Sequence, residues 1–258
     1  MPRSAAVEKR VSEVLLVTGG SRGIGAATAI LAARKGFAVA VNYTSNQDAA
    51  DEVVRTIRDE GGRAVAVQAD VADEAQVLRL FAEVDAQLGR LTALVNNAGI
   101  VDRAARVDEM SFARLKRMFD INVIGSFLCA REAVKRMSTR HGGAGGAIVN
   151  VSSAAARLGA PGQYVDYAAS KGAIDAFTVG LAKEVAAEGI RVNAVRPGLI
   201  ETEIHASGGL PNRVKELAHL VPMQRGGSAE EVAQAIVWLL SPEASYTTMS
   251  LLEVSGGR

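Results

Sequence analysis

Val14-Leu15-Leu16-Val17-Thr18-Gly19-Gly20-Ser21-Arg22-Gly23-Ile24-Gly25 is the stretch that decides how this chain is read. A short apolar run (Val14 to Thr18) ends in a glycine-rich turn, and a helical pattern opens at Gly23 and continues to Lys35, giving strand, turn, helix. Gly19, Gly23 and Gly25 carry no Cβ, so the backbone N–H groups of Ser21, Arg22 and Ile24 and the positive helix end can approach a pyrophosphate. The spacing is G-x-x-x-G-x-G and not G-x-G-x-x-G, so the nucleotide reading rests on mechanism rather than on pattern. Gly19 to Gly23 also satisfies G-x-S-x-G, the nucleophile elbow of hydrolases. Sequence order opposes that rival: Ser21 follows the first strand, which leaves no earlier strand to supply an oxyanion loop, and the histidines have no triad setting.

Outward from this turn, β-rich apolar runs alternate with helical patterns. Strands are expected at Val14 to Thr18, Ala38 to Tyr43, Ala64 to Gln68, Ala93 to Asn96, Ala147 to Ser152, Arg191 to Val195 and Leu251 to Val254. Helices are expected at Gly23 to Lys35, Gln47 to Glu60, Glu74 to Leu88, Phe112 to Met137, Asp166 to Ala187 and Ala229 to Leu240, with Gly36, Gly61, Gly89 and Gly189 as stops. Near-continuous apolar strands fit a sheet covered on both faces. The expected architecture is α/β: a single-domain, Rossmann-like, doubly wound seven-stranded parallel sheet. It spans residues 13–258, after a polar, flexible extension at residues 1–12. Gly208, Gly209 and Pro211, followed by a helical pattern through Leu220, suit a mobile substrate cover near residues 200–222.

Composition excludes several classes. With 258 residues, 48% apolar and 22% charged, the chain buries a real core. Twenty-nine basic and 28 acidic residues give a net charge of +1 without a basic block, so no nucleic-acid partner is expected. The N-terminus lacks a signal-peptide core and no apolar run is long enough to span a bilayer, so no membrane partner is expected and the chain reads as cytoplasmic. The lone Cys129 reads as a buried hydrophobe in a reducing compartment. His141, His205 and His219 show no metal-ligand spacing, so no metal site is expected; His141 is placed in a solvated glycine-rich loop, and His205 reads as a loop residue beside the pocket.

Tyr167 and Lys171 stand four residues apart, so a helix puts phenol and ammonium on one face. The bland alternative is a core phenol beside a surface charge, and the glycine turn argues against it. A free phenol has a pKa of about 10, and a neighbouring ammonium brings it toward neutrality, where it serves as general acid or base. Cofactor choice follows from charge: Asn42-Tyr43-Thr44 after the second strand offers no carboxylate for a ribose 2'-hydroxyl, while Arg22 can meet a 2'-phosphate. NADP(H) is therefore preferred, with NAD(H) possible.

These residues resemble the short-chain dehydrogenase/reductase family over essentially the whole chain. Thr18 to Gly25 looks like its cofactor turn, Asp70-Val71 like its adenine contact, and Asn96-Asn97-Ala98-Gly99 like its marker after strand four. Asn122, Ser153, Tyr167 and Lys171 match its catalytic four, and Arg196-Pro197-Gly198 with Ile200 and Thr202 resembles the segment holding the nicotinamide side. The resemblance implies hydride transfer between the nicotinamide and a ketone or secondary alcohol, with Tyr167 as acid/base, Ser153 bonded to the substrate oxygen, Lys171 also holding the ribose, and Asn122 positioning a relay water. It implies a small-molecule carbonyl or alcohol substrate, closest to 3-oxoacyl-carrier-protein reductases and to sugar or polyol dehydrogenases, and a homotetramer through the helices at 112–137 and 166–187. A non-catalytic nucleotide-binding regulator on the same fold is the alternative, although the four catalytic residues are complete. Ser153 rather than Ser152 aligns with the catalytic serine, but it precedes Tyr167 by one residue more than expected, which implies an insertion within Arg157 to Asp166. Tyr164 has no ammonium at its +4 position and reads as a packing or pocket residue. Met249 stands where the resemblance leads one to expect glycine.

Overall fold

The computed structural model describes residues 13–203, 209, 210 and 212–258. The readings made for residues 1–12, His205, Gly208 and Pro211 lie outside the described residues.

The expected sheet forms. Its strands are β1 (Val14–Val17), β2 (Ala38–Tyr43), β3 (Ala64–Gln68), β4 (Ala93–Asn96), β5 (Gly146–Val151), β6 (Ile190–Pro197) and β7 (Leu251–Val254). They lie in the order β3-β2-β1-β4-β5-β6-β7, and every pairing is parallel. Alternate residues of one strand feed opposite faces: Leu15 and Val17 join one apolar cluster, Val14 and Leu16 the other. Both faces are covered, so β1 and β2 are buried at every position, which explains their unbroken apolar sequence.

Helices α1 (Gly23–Arg34) and α2 (Gln47–Asp59) cover the first face through Ala29, Ala32, Val53 and Ile57. The second face is covered by α3 (Glu74–Gln87), through Leu80 and Phe81, and by the long segment that begins with α4 (Phe112–Phe119). The chain reaches positive φ at all four expected glycine stops, Gly36, Gly61, Gly89 and Gly189.

One expectation is corrected. The single helix from Phe112 to Met137 is three segments: α4, a π-helical turn at Asp120–Ile124, and α5 (Gly125–Met137). The wide turn contains Asn122, whose side chain points inward to bond main-chain groups of Ile100 instead of following the helix surface. A short helix that the periodicity did not reveal, α6 (Ala155–Leu158), precedes α7 (Val165–Val185). Then come α8 (Arg213–Leu217) and α9 (Ala229–Leu240), the latter started by a capping box between Ser228 and Glu231 and packed on the first face through Val232 and Ile236.

Strand order reverses between β1 and β4, so the loops leaving these two strands diverge and open a crevice at the carboxyl end of the sheet.

Candidate active site

The turn after β1 is held by its neighbours rather than by itself. Thr18 Oγ1 accepts the main-chain N–H groups of Asn97 and Ala98, each at 3.0 Å. The Asn97 side-chain amide donates to the carbonyls of Thr18 and Gly19, each at 2.9 Å. These bonds clamp the glycine turn to the loop leaving β4, with no room for side chains: a Cβ on Gly19, whose φ is +59°, would come within 3.0 Å of Ala98 Cα. One on Gly25 would lie 2.4 Å from the Gly19 carbonyl oxygen.

The mouth of α1 fits a dinucleotide pyrophosphate. Arg22 at its N-cap makes no side-chain hydrogen bond to the first turn, which holds no acidic residue, whereas α2 and α3 are capped by Asn46 and Asp73. The N–H groups that a capping side chain would satisfy are therefore left to an anion. Asn42 is placed differently from a direct cofactor contact. Its side chain is 1% exposed, accepts from Gly19 N at 3.2 Å and donates to the Ala69 carbonyl at 3.0 Å, so it shapes the turn from beneath. Tyr43 is buried beside it and Thr44 is exposed. Arg22 is exposed and meets Glu203 at 3.3 Å, a solvent-facing pair that competing charge can exchange. Asp70 accepts from Ala72 N, and Val71 is buried under Gly125, where an added Cβ would touch it at 2.7 Å.

A cavity of about 450 Å³ opens below this turn. It brings together Ile24, Asn97, Gly99, Ser153, Tyr167, Lys171, Pro197, Gly198, Ile200 and Thr202 from five separate stretches of sequence, all expected at the site. Gly23 touches its rim, since a Cβ there would meet Thr202 Cγ2 at 3.3 Å. Ala98 and Asn122 lie just behind the wall: the Asn122 amide donates to the Ile100 carbonyl and to Ser170 Oγ, and its oxygen accepts from Ile100 N at 2.8 Å. Asn122 Oδ1 and Lys171 Nζ both border the space a Cβ on Gly99 would fill, at 3.4 and 3.5 Å.

Of the two adjacent serines, Ser152 is buried and donates to the Lys171 main-chain carbonyl, whereas Ser153 hydrogen-bonds Tyr167. The longer spacing to Tyr167 therefore does not part the pair. It is taken up by the turn after α6, where Gly159, Ala160 and Gly162 all have positive φ.

Burial raises the Tyr167 phenol above its ordinary pKa and the Ser153 hydrogen bond pulls it down. Lys171 is itself 4% exposed, and burial lowers its ammonium to about 8, opposed by the carboxylate of Asp175 one helical turn on. Its Nζ lies 5.6 Å from the Tyr167 ring centroid and donates to the Val151 carbonyl at 2.7 Å. The cation is placed beside the phenol as expected, and burial is the largest influence on the phenol itself.

Away from this cavity the described residues offer little chemistry. Burial pushes the Cys129 thiol up to about 12, which suits a packing residue. No cluster of three metal-ligating side chains forms among the described residues, and no helix there is long and apolar enough to cross a membrane. His141 sits exposed in a 3₁₀ turn before β5, at the opposite end of the sheet from Ser21, which removes it as a hydrolase base.

Tyr164, read as a packing or pocket residue, does line the cavity, and with it stand Val101, Leu158, Ala160, Gln163, Arg213 and Arg258, which were not singled out. Only the cover segment at 200–222 hinted at any of these, and Arg213 falls within it.

Residues 19–258 match the family model described as enoyl-(acyl carrier protein) reductase. The chain belongs to the short-chain dehydrogenase/reductase family. It is 60% identical over 245 residues to the uncharacterized oxidoreductase YgfF of Escherichia coli, covering 95% of this chain and 99% of the relative. It is 39% identical to a 3-oxoacyl-[acyl-carrier-protein] reductase of Synechocystis, covering 95% of this chain and 96% of the relative. Identity to cis-4-hydroxycyclohexanecarboxylate dehydrogenase of Sinomonas cyclohexanicum is 42%, with 97% of this chain and 98% of the relative covered. The solved short-chain dehydrogenase/reductase of Serratia marcescens superposes with a TM-score of 0.87 at 33% identity, covering 95% of this chain and 97% of that one. This family member is an NAD(P)-dependent oxidoreductase acting on alcohol and ketone groups.

Proposed function

We propose that this family member is an NADP(H)-dependent reductase of small ketones, reversible to secondary-alcohol oxidation, with Asn122, Ser153, Tyr167 and Lys171 as its catalytic group. The observation that carries the reading is the shared cavity, in which Ser153 hydrogen-bonds Tyr167 and Lys171 stands over the phenol ring. The bound nicotinamide supplies or accepts the hydride. Tyr167 gives its proton to the carbonyl oxygen as charge develops there, and Ser153 hydrogen-bonds that same oxygen. A phenol held above its ordinary pKa carries its proton at neutral pH, which is the form the reductive direction starts from. Lys171, beside the phenol, stabilises the tyrosinate left after transfer. Asn122 keeps the β4 loop and Gly99 at the distance from Lys171 that leaves its ammonium room.

NADP(H) preference is supported by the missing carboxylate after β2 and by an exposed Arg22 that meets the solvent-facing Glu203. NAD(H) use remains the second reading. The chain is further proposed to act as a homotetramer in the cytoplasm, with the segment near 200–222 covering the pocket. A 3-oxoacyl substrate is supported by the Synechocystis relative, and a hydroxy or keto acid by the Sinomonas relative.

Following NADPH absorbance across keto-acyl thioesters, sugars, diketones and cyclic ketones tests the reading. NADPH is expected to support a higher kcat/KM than NADH, and Arg22→Ala is expected to erode that preference selectively by about 10-fold, the loss of one charge-assisted contact. A wild-type preference for NADH, or reduction of no carbonyl at all, contradicts the proposal.

A further inference from the structure

The substrate half of the cavity carries a charge that the hydride chemistry does not use. Among the described residues no Asp or Glu lines it, and its outer wall is mostly apolar: Val101, Ala155, Leu158, Pro161 and Leu199. Set into this wall is Arg213, whose guanidinium lies over the Tyr164 ring at 5.1 Å from the centroid. Most arginines that fold back onto this protein find a carboxylate: Arg114 meets Asp166, Arg136 meets Asp85, Arg196 meets Asp175 and Arg225 meets Glu231. Among the described residues, none pairs with Arg213. Stacking on an aromatic face uses the flat side of a guanidinium and leaves its in-plane N–H donors available for two-pronged bonding to a carboxylate. Arg258 lines the same cavity, and its main-chain oxygen is engaged by Arg157 and Ser255. An uncompensated cation in an apolar wall selects a ligand that neutralises it.

We infer that Arg213 is a specificity-determining residue that binds the carboxylate of the substrate, making the substrate a keto acid or the corresponding hydroxy acid. Tyr164 caps the start of α7 three residues before Tyr167, and both rings line the cavity, with Arg213 a further ring contact beyond Tyr164. The carboxylate therefore belongs several bonds from the reacting carbon, as in a 4-oxo acid or a ring keto acid, and not beside it as in a 2-oxo acid.

This inference rests on the carbonyl reduction proposed above, so turnover and binding are measured separately. For turnover, 4-oxocyclohexanecarboxylate and its methyl ester are compared with NADPH. The wild type is expected to favour the acid by about 10-fold or more in kcat/KM, with the ratio collapsing toward one in Arg213→Gln, mostly through KM, and partly recovering in Arg213→Lys. Equal efficiency on acid and ester in the wild type, or a ratio that Arg213→Gln leaves in place, overturns the inference. For binding, cyclohexanecarboxylate, which has no carbonyl to reduce, is titrated by calorimetry with NADP⁺ present. Binding that Arg213→Gln weakens supports the anion site even if no ketone is reduced, in which case only the reductase reading falls. Ready reduction of neutral ketones with no carboxylate binding sinks the anion site and leaves the reductase standing.

Discussion

Lys171 sets the pH behaviour of the site. Buried at the cavity floor with its ammonium lowered to about 8, it is charged at neutral pH and loses its proton as pH rises through that value. The mechanism needs the charged form beside the departing phenolic proton, so the direction is fixed: reduction is expected to hold at neutral pH and to fall above about pH 8. A kcat profile across the alkaline range checks this, and a flat profile to pH 10 would separate Lys171 from the chemistry. Asp175 favours the charged form from one turn further along α7, with Arg196 gripping its Oδ2 at 2.8 Å. The pairing of Tyr167 with Lys171 was legible in the sequence because i and i+4 on a helix need no tertiary knowledge. The net effect on the phenol was not, since desolvation depends on what surrounds it. Arg213 was illegible for the same reason: an arginine opening a short surface helix reads as solvated until its wall is known.

Element boundaries record where local pattern and tertiary demand part. All seven strands and the long helices α1, α2, α3, α7 and α9 were readable from apolar runs and glycine stops. The π turn was not, because Phe112 to Met137 keeps a helical pattern throughout and only the inward demand of Ile100 on Asn122 widens it. Met249 shows the opposite case, in which sequence flagged a strain that the structure displays. Its φ is +64°, the region where glycine was expected, and its N–H donates to the Val192 carbonyl at 2.7 Å to set the entry of β7. A left-handed L-residue costs about 1–2 kcal/mol, and glycine's greater freedom in the unfolded chain returns part of that. Met249→Gly is therefore expected to stabilise the fold by about 0.5–1 kcal/mol, seen as a melting temperature higher by about 2–3 °C in a chain of this size. An unchanged or lower Tm would mean that the Met249 side chain makes a contact worth more than the strain.

At the scale of the molecule, the sheet ends in β7, whose four residues are only partly covered at the edge. Near it Trp238, Tyr246 and Met249 are exposed, and on the other side of the fold Phe112, Phe119, Ile124 and Phe127 break the surface, Phe127 stacked on Phe177 at 3.8 Å. Two separate apolar regions on one chain suit two interfaces of a closed tetramer better than the single interface of a dimer. Light scattering is expected to give four times the 26.9 kDa chain mass, and a monomer would contradict the assembly. On the proposed function, the crevice at the strand-order reversal offers a turn for the dinucleotide, a phenol for the proton and a wall for the substrate. Tyr167→Phe tests that account most directly, because it removes one oxygen while keeping the ring that packs under Lys171. Turnover of a reducible ketone is expected to fall by about 10²–10⁴-fold with NADPH affinity preserved. A variant that still reduces ketones at the wild-type rate would contradict the assignment of the transferred proton to this residue.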